Sequence, residues 1–324
     1  MYPPSDPVEL PASYASLDLP HIKISHVPES SKEPTPVLLL TLYRPQNNNA
    51  FTRQMQESIT TFYTLVNSDD RVRVVVLTGH GKMFCAGADL DIGFLGGAAK
   101  AGAKAVAKSE RDIDHRDGGG RASLAIHQCS KPTVAALQGS AVGVGITMCL
   151  PATIRLAYAK AKIGFVFARR GIIMEACSHY FLPKLIGLSR ALHLTTTGSV
   201  YPAEHPLMRE LFSEILPTPE ATLARALELA DEIAKNTSTV STKLMRDMMY
   251  RGPASAEEAH LLDSKVIHGL FGSKDNTEGV KSFFEKRPPN FTGTMVNDAP
   301  EAWPWWSQVD VGSVPKVGPR TSKL

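Results

Sequence analysis

An α/β fold with a helical C-terminal part is the class this sequence predicts, on three observations. Short apolar runs alternate with helix-spaced patterns through the first part of the chain, helical patterns alone follow, and the closing stretch is rich in Pro and Trp without a period. The 324 residues are 43% hydrophobic and 21% charged, an ordinary globular balance. A chain of this size buries roughly 75% of its unfolded surface, so its core needs no metal or disulfide.

Residues 1–34 read as a loose N-terminal segment, Pro- and Ser-rich at its start. Val37 to Leu42 is an unbroken apolar run with one Thr, a buried strand ended by Arg44-Pro45 and Asn47-Asn48-Asn49. Met55, Ile59, Phe62 and Val66 fall at helical spacing and predict a helix over 52–67. Arg73 to Thr78 is the clearest strand, closed by Gly79 and Gly81; further short strands are expected over 134–137, 153–157 and 163–167. Helices are expected over 191–197 and 218–235, the second with Thr218 at its cap and Pro219 in its first turn. Beyond about residue 252 the pattern is helical as far as Lys286. The chain thus divides into a core over 35–252, a helical region over 253–290 and an irregular tail over 291–324.

Residues 93–121 stand apart. Gly93, Gly96, Gly97 and Gly118-Gly119-Gly120 flank an Ala/Lys stretch whose Lys100, Lys104 and Lys108 share one helix face. Two readings stay open: a solvated helix in a loop, or a lid whose lysines meet ligand phosphates.

A net charge of +3 is too mild to argue for nucleic acid. Cys85, Cys129, Cys149 and Cys177 form no CxxC pair, which argues against zinc. No apolar run reaches the ~20 residues of a membrane span. Ser322-Lys323-Leu324 matches the peroxisomal address, so a peroxisomal import receptor is an expected partner and the peroxisome matrix the expected location.

Two glycine-bearing segments carry the chemistry. Gly81 to Leu90 follows the strand at 73–78, and Gly139 to Gly145 follows the strand at 134–137. Small residues let a ligand approach the backbone. Gly87 permits a conformation that turns the next N–H outward, and Asp89 is placed to cap a following helix. The second segment can open a helix with free N–H groups. Neither has the spacing of a Walker A loop or a dinucleotide fingerprint.

Taken in order, these segments resemble the crotonase superfamily, also called the enoyl-CoA hydratase/isomerase family, over roughly residues 35–290. Leu42-Tyr43-Arg44-Pro45, Asn49-Ala50-Phe51, Phe84 to Leu90, Lys131-Pro132 to Gly145, Ala161 to Phe165, Leu182 to Gly187 and Ser273 to Arg287 carry the likeness. The resemblance implies a ββα-spiral fold assembled as a homotrimer or hexamer. It implies an acyl-CoA thioester substrate and no cofactor beyond the CoA that the substrate carries. It implies an oxyanion hole from the N–H groups of Ala88 and Val144, with contacts to the ligand from Ala86, Gly87, Ala88, Asp89, Leu90, Gly143 and Phe167. Val144 departs from the family's usual Gly, so its side chain must turn away from the thioester.

The two positions where hydratases of the family carry carboxylates are Thr147 and Phe167, neither of which is an acid. Thr147 is assigned no proton-transfer role. A carboxylate stands instead at Glu175, in the place that resembles the peroxisomal Δ3,Δ2-enoyl-CoA isomerase branch. The expected reaction is removal of a C2 proton by Glu175, a dienolate held by the two N–H groups, and return of the proton at C4. Ile172, Ile173, Met174 and Phe167 are expected to desolvate Glu175 and raise its pKa. His179 lies one turn on, as a hydrogen-bond partner of Glu175 or a bystander. The other readings are a hydratase, dienoyl-CoA isomerase or thioesterase of the same family, or a non-catalytic acyl-CoA binder.

Overall fold

The computed structural model describes residues 8–89 and 114–312. Its strands are β1 (Ile22–His26), β2 (Val37–Leu42), β3 (Val74–Gly79), β4 (Met83–Cys85), β5 (Thr133–Leu137), β6 (Ser140–Val142), β7 (Ile154–Tyr158), β8 (Lys162–Gly164), β9 (Val200–Pro202) and β10 (Glu214–Leu216). Its α-helices are α1 (Arg53–Ser68), α2 (Gly118–Gln128), α3 (Val144–Thr147), α4 (Ser178–Ile186), α5 (Leu188–Thr197), α6 (Pro219–Asn236), α7 (Thr239–Arg251), α8 (Ala256–Leu270) and α9 (Lys274–Glu285).

Two mixed sheets form the frame. The larger has the order β1-β2-β3-β5-β7-β10, parallel except for the β1–β2 pair. The smaller has the order β4-β6-β8-β9, parallel except for β8–β9. Every residue of β3 is buried, which is why this strand reads as a continuous apolar run. Its side chains alternate between two cores. Val74 and Val76 pack with Val134, Ala136 and Leu156 beneath Ala226 and Ala230 of α6. Val75 and Leu77 face the larger core, with Leu38, Leu40 and the α1 residues Met55, Ile59 and Phe62. Burying a side chain of this size contributes about 1.5–3 kcal/mol. Thr52 and Thr218 cap α1 and α6 by accepting the Met55 and Ala221 N–H groups at 3.1 Å.

Residues 8–34 depart from the expected loose segment. Within 8–34, β1 pairs with β2 in full register, and Tyr14 is wholly buried with its hydroxyl donating to Asp69 Oδ2 at 3.1 Å. The alternation in Ile22-Lys23-Ile24 is the strand signal that the flanking prolines mask. The described part of the tail is irregular in backbone but docked. Trp303 and Trp305 pack on α7 and α8, and their indole N–H groups donate to Asp247 Oδ2 at 2.9 Å and to the Arg251 carbonyl at 3.0 Å. Gly118-Gly119-Gly120 opens α2, capped by Asp117. Leu90, Lys100, Lys104, Lys108 and Ser322-Lys323-Leu324 lie outside the described residues. No described helix is long and apolar enough to cross a membrane. All four cysteines are free, three of them buried.

Candidate active site

The segments after β4 and β6 run side by side because these strands are parallel neighbours. Gly87 sits at φ +95°, left-handed backbone open to glycine at no steric cost. Its carbonyl accepts the Phe51 N–H at 2.8 Å, and the Asp89 N–H donates back to the Phe51 carbonyl at 2.9 Å. This bridge turns the Ala88 N–H to the opposite side. Gly143 takes a similar left-handed φ of +55° and starts the short helix α3 with Val144 at its first position. A first-turn N–H has no acceptor within its own helix. Among the described residues neither the Ala88 nor the Val144 N–H has an acceptor. Both residues line one cavity of about 390 Å³, together with Ala86, Gly87, Gly143, Phe167 and Glu175.

Asp89 is elsewhere. It is buried and its Oδ2 accepts from Arg44 Nη1 at 2.9 Å, while the same nitrogen donates to the Ala50 carbonyl at 2.6 Å. It ties the strand-end segment to the Arg44-Pro45 turn and is not among the residues lining the cavity. The Val144 Cγ2 packs toward Gly119 of α2, 3.1 Å from where a Cβ there would stand.

Glu175 enters the cavity from the turn before α4. The next two residues, Ala176 and Cys177, both hold left-handed backbone, at φ +61° and +55°. Such conformations cost of order 1–3 kcal/mol each and persist where neighbours enforce them. Here the enforcing contacts are visible. The Ala176 N–H donates to Asp117 Oδ1 at 3.2 Å, and the Ser178 N–H donates to the Glu175 carbonyl at 3.0 Å. The Glu175 carboxyl reaches the first turn of α2, so close that a Cβ at Gly119 would stand 1.5 Å from Oε2. Its Oε1 accepts from the Thr147 hydroxyl at 2.7 Å.

Burial pushes the Glu175 carboxyl up to about 8; the Thr147 hydroxyl pulls it down, and the neighbouring Asp117 carboxyl raises it further through its charge and a hydrogen bond between the two. The expected source of that burial is only partly right. Phe167 and Ile172 both line the cavity, Phe167 buried and Ile172 partly exposed, but Ile173 faces solvent at 88% exposure. The backbone of α2 and the Val144 side chain close the site instead. His179 is exposed and makes no hydrogen bond to Glu175.

Asp117 was not expected. It lines the cavity beside Glu175, although 58 positions separate them in the chain. The available signal was an Asp followed by Ala122, Ala125, Ile126 and Cys129 at helical spacing, an N-cap pattern obscured by three glycines. Thr147 was also underrated, since its hydroxyl fixes one Glu175 oxygen. Among the described residues no group of three or more metal-ligating side chains converges.

Comparison with known proteins agrees with this geometry. The family model described as enoyl-CoA hydratase/isomerase matches residues 32–294. The enoyl-CoA hydratase AFT3-1 of Alternaria alternata is 48% identical over 265 residues, covering 82% of this chain and 86% of that protein. The mevalonyl-coenzyme A hydratase SIDH of Beauveria bassiana is 32% identical over 256 residues, 78% of this chain and 90% of that protein. Among solved structures, an enoyl-CoA hydratase from Bacillus anthracis superposes with a TM-score of 0.71 at 26% identity, covering 84% of this chain and 99% of that one. These relatives are named hydratases, whereas the sequence resemblance pointed toward an isomerase branch.

Proposed function

This chain belongs to the enoyl-CoA hydratase/isomerase family, with the crotonase α/β fold and an acyl-CoA-processing enzyme's ancestry, and from that premise we propose that it hydrates a 2-enoyl-CoA thioester. The observation that carries the reading is a carboxyl group of pKa about 8 in the same cavity as two N–H groups without acceptors. The thioester oxygen accepts from the Ala88 and Val144 N–H groups. Water adds at C3, the π electrons of the C2–C3 bond pass to the thioester oxygen, and the enolate is stabilised where its charge forms. Each such donor contributes about 2.7–4 kcal/mol to a developing oxyanion. Glu175, protonated at neutral pH, then delivers a proton to C2. The 48% identity to a protein named as an enoyl-CoA hydratase supports hydration over other reactions of the family.

The test is 2-enoyl-CoA in ¹⁸O-labelled water, with products read by mass spectrometry. Labelled 3-hydroxyacyl-CoA supports the proposal; its absence at any chain length sinks it.

A second reading, shift of a double bond from C3 to C2, is favoured by one observation: Phe167 and Thr147 occupy the positions where the resemblance puts hydratase carboxylates, and Phe167 is buried on the cavity wall. The two readings differ in the sign of their pH dependence. As an acid, Glu175 works below its pKa, so hydration holds steady at neutral pH and falls about tenfold per unit above about 8. As a base removing a C2 proton, it works above its pKa, so isomerisation of 3-enoyl-CoA rises about tenfold per unit from pH 6 toward 8. Measuring kcat/KM for both thioesters from pH 6 to 10 separates them.

A further inference from the structure

Water addition needs two proton carriers, one to take a proton from the water and one to give a proton to C2, and the reaction above uses only Glu175. Asp117 is the second carboxyl group on the cavity wall. As the N-cap of α2 its Oδ1 accepts the Gly120 N–H, and the same oxygen accepts the Ala176 N–H at 3.2 Å, at the residue that follows Glu175. One side chain thus fixes the start of α2 and the position of Glu175 together. A cap alone does not require a charge, since Asn and Ser cap as well as Asp. The Asp117 and Glu175 carboxyl groups line one cavity, and the Asp117 charge pushes the Glu175 carboxyl up. Thr147 and Phe167 leave no acid at the positions where the resemblance would supply the missing carrier.

We propose that Asp117 is the base that accepts the proton of the attacking water, paired with Glu175 as the acid at C2. The inference rests on the hydration reading. The water O–H bond breaks toward Asp117 as its oxygen bonds C3. The C2–C3 π pair moves onto the thioester, and as the enolate collapses C2 takes the Glu175 proton. Asp117 then returns its proton to Glu175 within the cavity they share, which restores the starting state with one water added. Among the described residues, the other ionisable groups facing the pair are His115 and Arg170 on the cavity wall, Cys85 from β4 and Cys177 at the turn. Burial pushes the Cys85 thiol up to about 12, so it stays neutral beside the pair.

The experiment compares Asp117→Asn and Asp117→Ser with the wild type on 2-enoyl-CoA. Both replacements keep a good N-cap, so circular dichroism and thermal midpoint should stay close to wild type. The expected result is a kcat lower by about 10²-fold or more with KM little changed, the scale of lost acid–base catalysis. The alkaline limb set by Glu175 should also move to lower pH, because a neighbouring negative charge is gone. Wild-type kcat in both variants, or a lower kcat with the limb unmoved, overturns the assignment and leaves Asp117 a helix cap. A wild-type protein that incorporates no ¹⁸O overturns the hydration reading itself, whatever the variants do.

Discussion

Glu175→Gln is expected to lower kcat by about 10²-fold or more while leaving acyl-CoA binding close to wild type. The amide keeps the size of the side chain and still accepts from the Thr147 hydroxyl, now 2.7 Å from Oε1. It cannot carry a proton, and general acid–base groups contribute about 10²–10⁴-fold. Binding should survive because the proposed thioester contacts come from the Ala88 and Val144 backbone. Thr147→Val makes the comparison. It removes a hydrogen bond worth about 0.5–1.5 kcal/mol and the group that holds the Glu175 pKa down, so its alkaline limb should move up and its kcat should change by about tenfold at most. Near wild-type turnover in Glu175→Gln beside an inactive Thr147→Val would reverse the assignment.

Gly119→Ala should be almost as damaging to turnover, with the opposite effect on the helix. The added Cβ would stand 1.5 Å from Glu175 Oε2 and 3.1 Å from Val144 Cγ2. Glu175 must therefore leave its place. A shift of about 1 Å in a reacting group can cost about 10²-fold in rate. Yet Ala is favoured over Gly inside a helix by about 0.8–1.0 kcal/mol, so the melting temperature should not collapse with the activity. Gly118→Ala supplies the control, since its Cβ would meet only Gln56 and Phe51 side-chain atoms at 3.6 Å or more. Wild-type kcat in Gly119→Ala would show that the closeness of Glu175 to α2 is dispensable.

The parts of the fold legible from the chain are those whose signals are local. β2, β3 and β5 are apolar runs with turn residues after them, and α1 and α6 carry both an apolar face and a threonine cap. The glycine turns at Gly87 and Gly143 are equally local, whereas Ala88 and Val144 were singled out as donors through the family resemblance. What escaped depends on long-range packing. Asp117 meets Glu175 only because α2 crosses the turn before α4, and the poor helix propensity of three glycines hid α2 itself. No acid stands at Thr147 or Phe167, and the second carboxyl group on the cavity wall, Asp117, comes from a different segment. Asp89 also takes part in a long-range contact. Its position near Gly87 suggested a cap for a following helix; the residues after it lie outside the described ones, and within them it holds Arg44.

The docked stretch after α9 gives the protein a spectroscopic address. All three tryptophans of the chain lie within 303–306, with ring centroids 5.1 and 6.1 Å apart along the cluster and the Arg251 guanidinium 4.5 Å above Trp306. None lines the cavity that holds Glu175. Emission excited at the indole band therefore reports the seating of this stretch on α7, while far-ultraviolet circular dichroism reports the α/β body. Superimposable denaturation curves from the two signals would make the docked stretch part of one cooperative unit; an earlier fluorescence transition would mark it as a separately melting flap.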